Sequence, residues 1–162
     1  MEQVYDSTQD TKDHKNLVER YLKFLAGHLL YRGSIHDNSK LTSPEKEILD
    51  VVISKLKGCT FGTPEYEEVV KELDEYKIYH RKANRHHAGH FENGVKGMNL
   101  IDLNEMFTDW CGATVTHNRD SNIYRSIDLM DKKLGLGEVL VAILKNTARD
   151  FNMGKGEDEK GK

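Results

Sequence analysis

The stretch Thr11–Tyr31, TKDHKNLVERYLKFLAGHLLY, decides the fold class. Leu17, Val18, Tyr21, Phe24, Leu25 and Leu29 recur at three- and four-residue spacing, the period of one face of an α-helix. His14 lies one turn ahead of Leu17 and Val18 on the same stripe, so it is expected to face inward. Gly33 is expected to stop this helix at the C′ position. No alternating β-branched run competes with this period, and Val51-Val52-Ile53 falls inside a helical pattern. The expectation is an all-α, single-domain helical bundle of about five or six helices.

Outward from this helix, two prolines mark further starts. Thr42-Ser43-Pro44-Glu45 and Thr63-Pro64-Glu65 each place a hydroxyl cap before a first-turn proline and an acidic residue. The former also has the T-x-x-E spacing of a capping box. A second helix is expected over Pro44–Lys57. A third starts at Pro64 with Tyr66, Val69, Val70, Leu73 and Tyr76 on its apolar face, and the same period reaches His80 and His87. Residues 84–97, with Gly89, Gly94 and Gly97, read partly as loop. Helices then follow over Asn99–His117, Asn122–Lys133 and Gly137–Phe151, the last burying Val139, Leu140, Ile143 and Leu144. Residues 1–10 are expected to be a flexible N-terminus, 11–151 the helical domain, and 152–162 a disordered charged tail.

The 162 residues carry 24 basic and 27 acidic side chains, a net charge of −3. That balance argues against an electrostatic duplex-DNA binder and leaves room for a small phosphorylated ligand. No apolar run approaches the roughly 20 residues of a membrane span, and the first ten residues have no secretory apolar core. Cys59 and Cys111 show no C-x-x-C spacing. A cytoplasmic setting is expected.

Histidine is the anomaly. There are eight, and His80, His86, His87 and His90 crowd one short segment. His86 and His90 are i, i+4, a chelating spacing if a helix persists, although Gly89 weakens one. Asp102, Glu105 and Asp109 fall on one stripe of the fourth helix, either as a solvated acidic face or facing inward around a cation. The His36-Asp37 pair follows His14 by one helix and is itself followed by Lys40. Imidazole and carboxylate together suit a first-row divalent ion. Asn84 and Arg85 are candidate phosphate contacts. His28 and His117 are expected to be structural or exposed.

With His14, His36-Asp37 and Asp109, the sequence resembles the HD superfamily of metal-dependent phosphohydrolases, whose pattern is H…HD…D on a helical bundle. His36-Asp37-Asn38-Ser39-Lys40 resembles the HD-x-x-K form with a lysine near the phosphate. Asp109-Trp110-Cys111-Gly112-Ala113 is similar to the D-x-x-x-A stretch that carries the last ligand, favouring Asp109 over Asp102. Arg85-His86-His87-Ala88-Gly89-His90 is similar to the double-histidine segment through which two-metal members bind an extra ion. The resemblance implies metal ligation by His14, His36, Asp37, His86, His87 and Asp109, with Lys40 and Asp37 catalytic. Lys40, Asn84, Arg85 and His90 would meet substrate. The cofactor would be one or two divalent ions (Mn, Fe, Co, Ni, Mg or Zn), which polarise a phosphoryl oxygen and lower the pKa of water. The implied activity is hydrolysis of a small nucleotide or related phosphoester. Alternatives are a phosphodiesterase of a cyclic or oligonucleotide signal, and a non-catalytic, metal-stabilised helical protein binding a host partner. Homo-oligomerisation is open. The run from Asp10 to about Ala148 also resembles an uncharacterised family of small phage-encoded proteins, which implies the cytoplasm of a bacterial host.

Overall fold

A computed structural model describes residues 5–59, 63–116 and 122–156. Among the described residues there are seven α-helices, three 3-10 turns and no strand. The helices are α1 (Thr8–Ile35), α2 (Glu45–Leu56), α3 (Pro64–Lys71), α4 (Leu73–Ala83), α5 (Leu100–Thr116), α6 (Ile123–Leu134) and α7 (Glu138–Asp150). The 3-10 turns are Asn38–Leu41, Ala88–His90 and Gly94–Gly97. The class is all-α, as the helical periods require. The helix count exceeds five or six because the third expected helix divides at Glu72 into α3 and α4. No described helix is long and apolar enough to cross a membrane. The chain forms two compact units, divided between His36 and Asp37.

The first unit is essentially α1. It begins at Thr8, inside the segment expected to be flexible, and runs past Gly33 to Ile35. None of its residues is buried. The expected inward stripe is therefore corrected: Leu17, Val18, Tyr21, Phe24, Leu25 and Leu29 are exposed, and so is His14. One helix by itself offers no second surface against which a stripe can close. His28 is exposed as well, its ring edge-on to Phe24 with centroids 4.5 Å apart.

The second unit has its core between α5, α6 and α7. Phe107, Cys111, Ile123, Tyr124, Ile127, Leu144 and Ala148 are buried together, with Trp110, Leu136, Leu140, Val141 and Met153 packed against them. On α7 the buried line passes through Leu140, Leu144 and Ala148, so Val139 and Ile143, expected inside, are exposed. Each residue turns a helix by about 100°, so a one-residue error in phase moves such a pair outward. At the end of α7, Asn152 takes a left-handed conformation (φ 50°), and Met153 N–H donates to Ala148 O at 2.9 Å, the Schellman arrangement. Lys155 N–H then donates to Thr114 Oγ1 at 3.0 Å, and its carbonyl accepts from Ile123 N–H at 2.7 Å. Residues 152–156, expected to belong to a disordered tail, are thus tied across α5 and α6. The rest of that tail, the first four residues and His117 lie outside the described residues.

Elsewhere in this unit, α2 packs against α3, α4 and the 3-10 turn Asn38–Leu41. Thr63 caps α3 as expected, its Oγ1 accepting from Tyr66 N–H at 3.3 Å. The capping box at Thr42 does not form: Thr42 Oγ1 donates to Ser39 O, and the Glu45 carboxylate turns inward to His80. A carboxylate gains more from a buried charge-assisted bond than from a helix-end N–H open to water. α4 stops at Ala83, where both the backbone N–H and the side-chain Nδ2 of Asn84 donate to His80 O. The chain then leaves helical geometry, so the i, i+4 chelating geometry considered for His86 and His90 is corrected.

Candidate metal centre

The site begins at Asp37, which opens the 3-10 turn in a left-handed conformation (φ 56°) that aspartate tolerates better than most residues. Its carbonyl accepts from Lys40 N–H at 2.9 Å. The same turn brings Lys40 Nζ to 2.5 Å from Asp37 Oδ2. The other carboxylate oxygen, Oδ1, lies 3.3 Å from His80 Nε2 and 3.4 Å from His86 Nε2.

His80 is delivered by the buried face of α4, one turn beyond Tyr76, on whose ring it stacks at 5.5 Å. His86 comes from the loop after α4 and is nearly inaccessible, 2% exposed. Behind each imidazole stands a buried glutamate. His80 Nδ1 is 2.8 Å from Glu45 Oε2, and His86 Nδ1 is 3.3 Å from Glu105 Oε1. His87 completes the group, its ring centroid 4.8 Å from that of His80 and 4.1 Å from that of His86. One ring nitrogen from each of these three histidines lies within 4.8 Å of the others.

Burial, and then the neighbouring His80, push the His87 pKa down to about 4, against the opposing pull of Asp109 and Asp37. A neutral ring keeps a lone pair available for a metal. Burial, followed by the charges of Glu45 and Asp37, raises the Tyr76 phenol above its ordinary value. Carboxylates act on both groups: Asp109 and Asp37 on His87, and Glu45 and Asp37 on Tyr76.

The loop carrying His86 and His87 is pinned from α5. Arg85 donates through Nε and Nη2 to the two oxygens of Asp102, at 2.9 and 2.8 Å, and this contact raises the guanidinium pKa. Asp102 is fully buried and forms a reciprocal cap with Asn99: Asp102 Oδ2 accepts from Asn99 N–H, and Asn99 Oδ1 accepts from Asp102 N–H. Asp102 is thereby committed to the loop, whereas Asp109, two turns along α5, acts on His87. Arg85 and Asn84, expected to meet phosphate, serve as ties here, Asn84 Nδ2 donating to Ser39 Oγ at 2.9 Å. His90 points elsewhere, its Nδ1 2.6 Å from Lys82 O. His36 is half-buried at the end of α1, one peptide bond from Asp37, and His14 remains an exposed residue of α1.

The donor set fits a divalent ion. Metal–ligand bonds of about 2.1 Å separate neighbouring ligands by roughly 3.0 Å in octahedral and roughly 3.4 Å in tetrahedral geometry. The 3.3 and 3.4 Å separations at Asp37 Oδ1 fall in that range. Among the described residues, the buried atoms His87 Nε2 and Glu45 Oε1 have no hydrogen-bond partner. Buried polar atoms of this kind are ordinarily paired or coordinate a cation. The sequence left open which of His80, His86, His87 and His90 join the cluster and whether Glu105 faces inward, and it did not point to Glu45 at all. Glu45 carries the signal of a helix cap and Glu105 that of an acidic stripe, and only the spacing from Tyr76 points His80 inward.

The molecule is thus an all-helical protein with a buried imidazole–carboxylate cluster at the meeting of α2, α4, α5 and two loops. Residues 3–150 match the model of a family of unknown function, DUF5662, and the chain belongs to that family. No curated protein and no solved structure matches it.

Proposed function

We propose that this chain is a divalent-metal-dependent phosphohydrolase acting on a small nucleotide or a related phosphoester. The observation that carries the reading is the convergence of His80 Nε2 and His86 Nε2 on Asp37 Oδ1, with His87 beside them. The ligands would be drawn from Asp37, His80, His86, His87 and Asp109. Nitrogen and carboxylate donors favour Mn, Fe, Co, Ni or Zn over Mg. Bound there, such an ion would polarise a phosphoryl oxygen and acidify water. Lys40 has two tasks in this scheme: it holds Asp37 through Oδ2, and it presents positive charge to a phosphate oxygen. The Arg85–Asp102 pair would position the histidine loop. A phage-infected bacterial cytoplasm is the setting this activity would serve.

The bond between Lys40 and Asp37 also favours a second reading, in which the metal stabilises a non-catalytic accessory protein and Lys40 only balances charge. Metal analysis of protein purified without chelator separates the two when followed by a turnover screen. The panel contains nucleoside phosphates, cyclic nucleotides and short oligonucleotides, each with Mn, Co, Ni or Mg. Retained metal with turnover supports the hydrolase. Retained metal with no turnover on the whole panel supports the scaffold, and a preference for cyclic or oligonucleotide substrates would mark a phosphodiesterase.

A further inference from the structure

We infer that Glu45 and Glu105 are positioning residues that fix His80 and His86 as Nδ1–H tautomers, aiming both Nε2 lone pairs at the corner occupied by Asp37 Oδ1. The role in metal affinity and the tautomer of His86 rest on the metal-centre reading above, whereas the tautomer of His80 stands on the geometry alone.

Glu45 comes from the first turn of α2 and Glu105 from the second turn of α5, and they are 1% and 8% exposed. An ionised carboxylate only accepts hydrogen bonds. The nitrogen facing it must donate, and in a neutral imidazole the other nitrogen is then an acceptor. Glu45 Oε2 at 2.8 Å, against 3.3 Å for Asp37 Oδ1, therefore places the proton of His80 on Nδ1. For His86 the contacts to Glu105 Oε1 and Asp37 Oδ1 are nearly equal at 3.3 and 3.4 Å, and a cation beside Asp37 Oδ1 is what puts its proton on Nδ1. The two Nε2 atoms then face Asp37 Oδ1, itself an acceptor, at 3.3 and 3.4 Å. Three acceptors converging in a buried place repel one another, and a cation among them reverses the sign. Two separate helices each bury a carboxylate behind one imidazole. Carboxylate–histidine–metal relays use this arrangement to hold ring orientation and raise ligand basicity.

The test uses the full chain, stripped of metal and labelled with nitrogen-15 in histidine. Long-range proton–nitrogen spectra at about pH 8, well above the ordinary imidazole pKa, are assigned with single His→Asn variants. His80 is expected to carry its proton on Nδ1 in the metal-free chain and His86 once Zn(II) is bound, and a proton on Nε2 of either ring in that state overturns the inference. In parallel, Mn(II) is titrated calorimetrically into wild type, Glu45→Gln and Glu105→Gln. Each nearly isosteric variant is expected to bind Mn(II) about 10- to 100-fold more weakly while remaining folded. Wild-type affinity in both variants would overturn the positioning role, and a variant that fails to fold leaves the wild-type spectra to decide. Should wild type take up no Mn(II), Co(II), Ni(II) or Zn(II), the metal-centre reading falls, and the spectra still decide the tautomer of His80.

Discussion

Lys40 and Asp37 are separated by a single 3-10 turn, and their side chains meet at 2.5 Å. If the lysine stabilises charge that develops on a phosphoryl group, its loss should appear in turnover and not in assembly of the site. Lys40→Met is expected to retain metal and fold while turnover falls about a hundredfold or more. Steady-state kinetics beside metal analysis checks this, and unchanged turnover would reduce Lys40 to a charge-balancing residue. Asp37 offers a cleaner test of the metal. Asparagine accepts the same left-handed backbone, so Asp37→Asn removes the anionic donor without straining the turn. Wild type should gain about 2.7 kcal/mol of stability with metal at a hundred times its Kd. Asp37→Asn should gain almost nothing, as thermal melts with and without metal will report. At this scale the sequence was informative about Asp37 and Lys40, because a three-residue turn places its own side chains. It was uninformative about Glu45, whose partner His80 lies 35 residues away.

The start of α5 works as a unit with the loop before it. Asn99 and Asp102 cap each other, and Asp102 holds Arg85, the residue next to His86. Arg85→Met leaves the Asp102 carboxylate, 0% exposed, without its guanidinium. The Arg85 side chain is 44% exposed, which screens the pair, so a loss of about 1–3 kcal/mol is expected rather than the larger value of a fully buried pair. Urea denaturation measures it, and Mn(II) affinity should fall in the same variant as His86 loses its anchor. Reduced stability with undiminished affinity would show that other contacts hold the loop. Most helix boundaries were legible to within a few residues because caps and breakers are local, as Thr63-Pro64 illustrates. The division of α3 from α4 was not. No glycine or proline marks it, and at that point Glu72 reaches across to Lys55 of α2, at 2.6 and 2.8 Å.

Acid should weaken the second unit as a whole through His87. Its folded pKa is pushed down from 6.5 to about 4, chiefly by burial. Between those values the unfolded ring binds a proton and the folded ring does not. The stabilisation is therefore present above pH 6.5 and lost progressively as pH falls through about 4. Chemical denaturation of metal-free protein across this window should show a decline that is shallower in His87→Asn, and equal slopes would contradict the assignment. The sequence by itself determined the all-helical class, most helix limits and a concentration of imidazoles beside an acidic stripe. All of these follow from period, capping and composition within a few residues of chain. Only the tertiary structure decided that His80 and His86 meet Asp37 while His90 turns to a carbonyl, and that Asp102 ties the loop while Asp109 faces His87. It alone put Glu45 and Glu105 behind the imidazoles. Such pairings depend on which helices lie side by side and at what phase, and a loop such as residues 84–97 has no period from which that could be read.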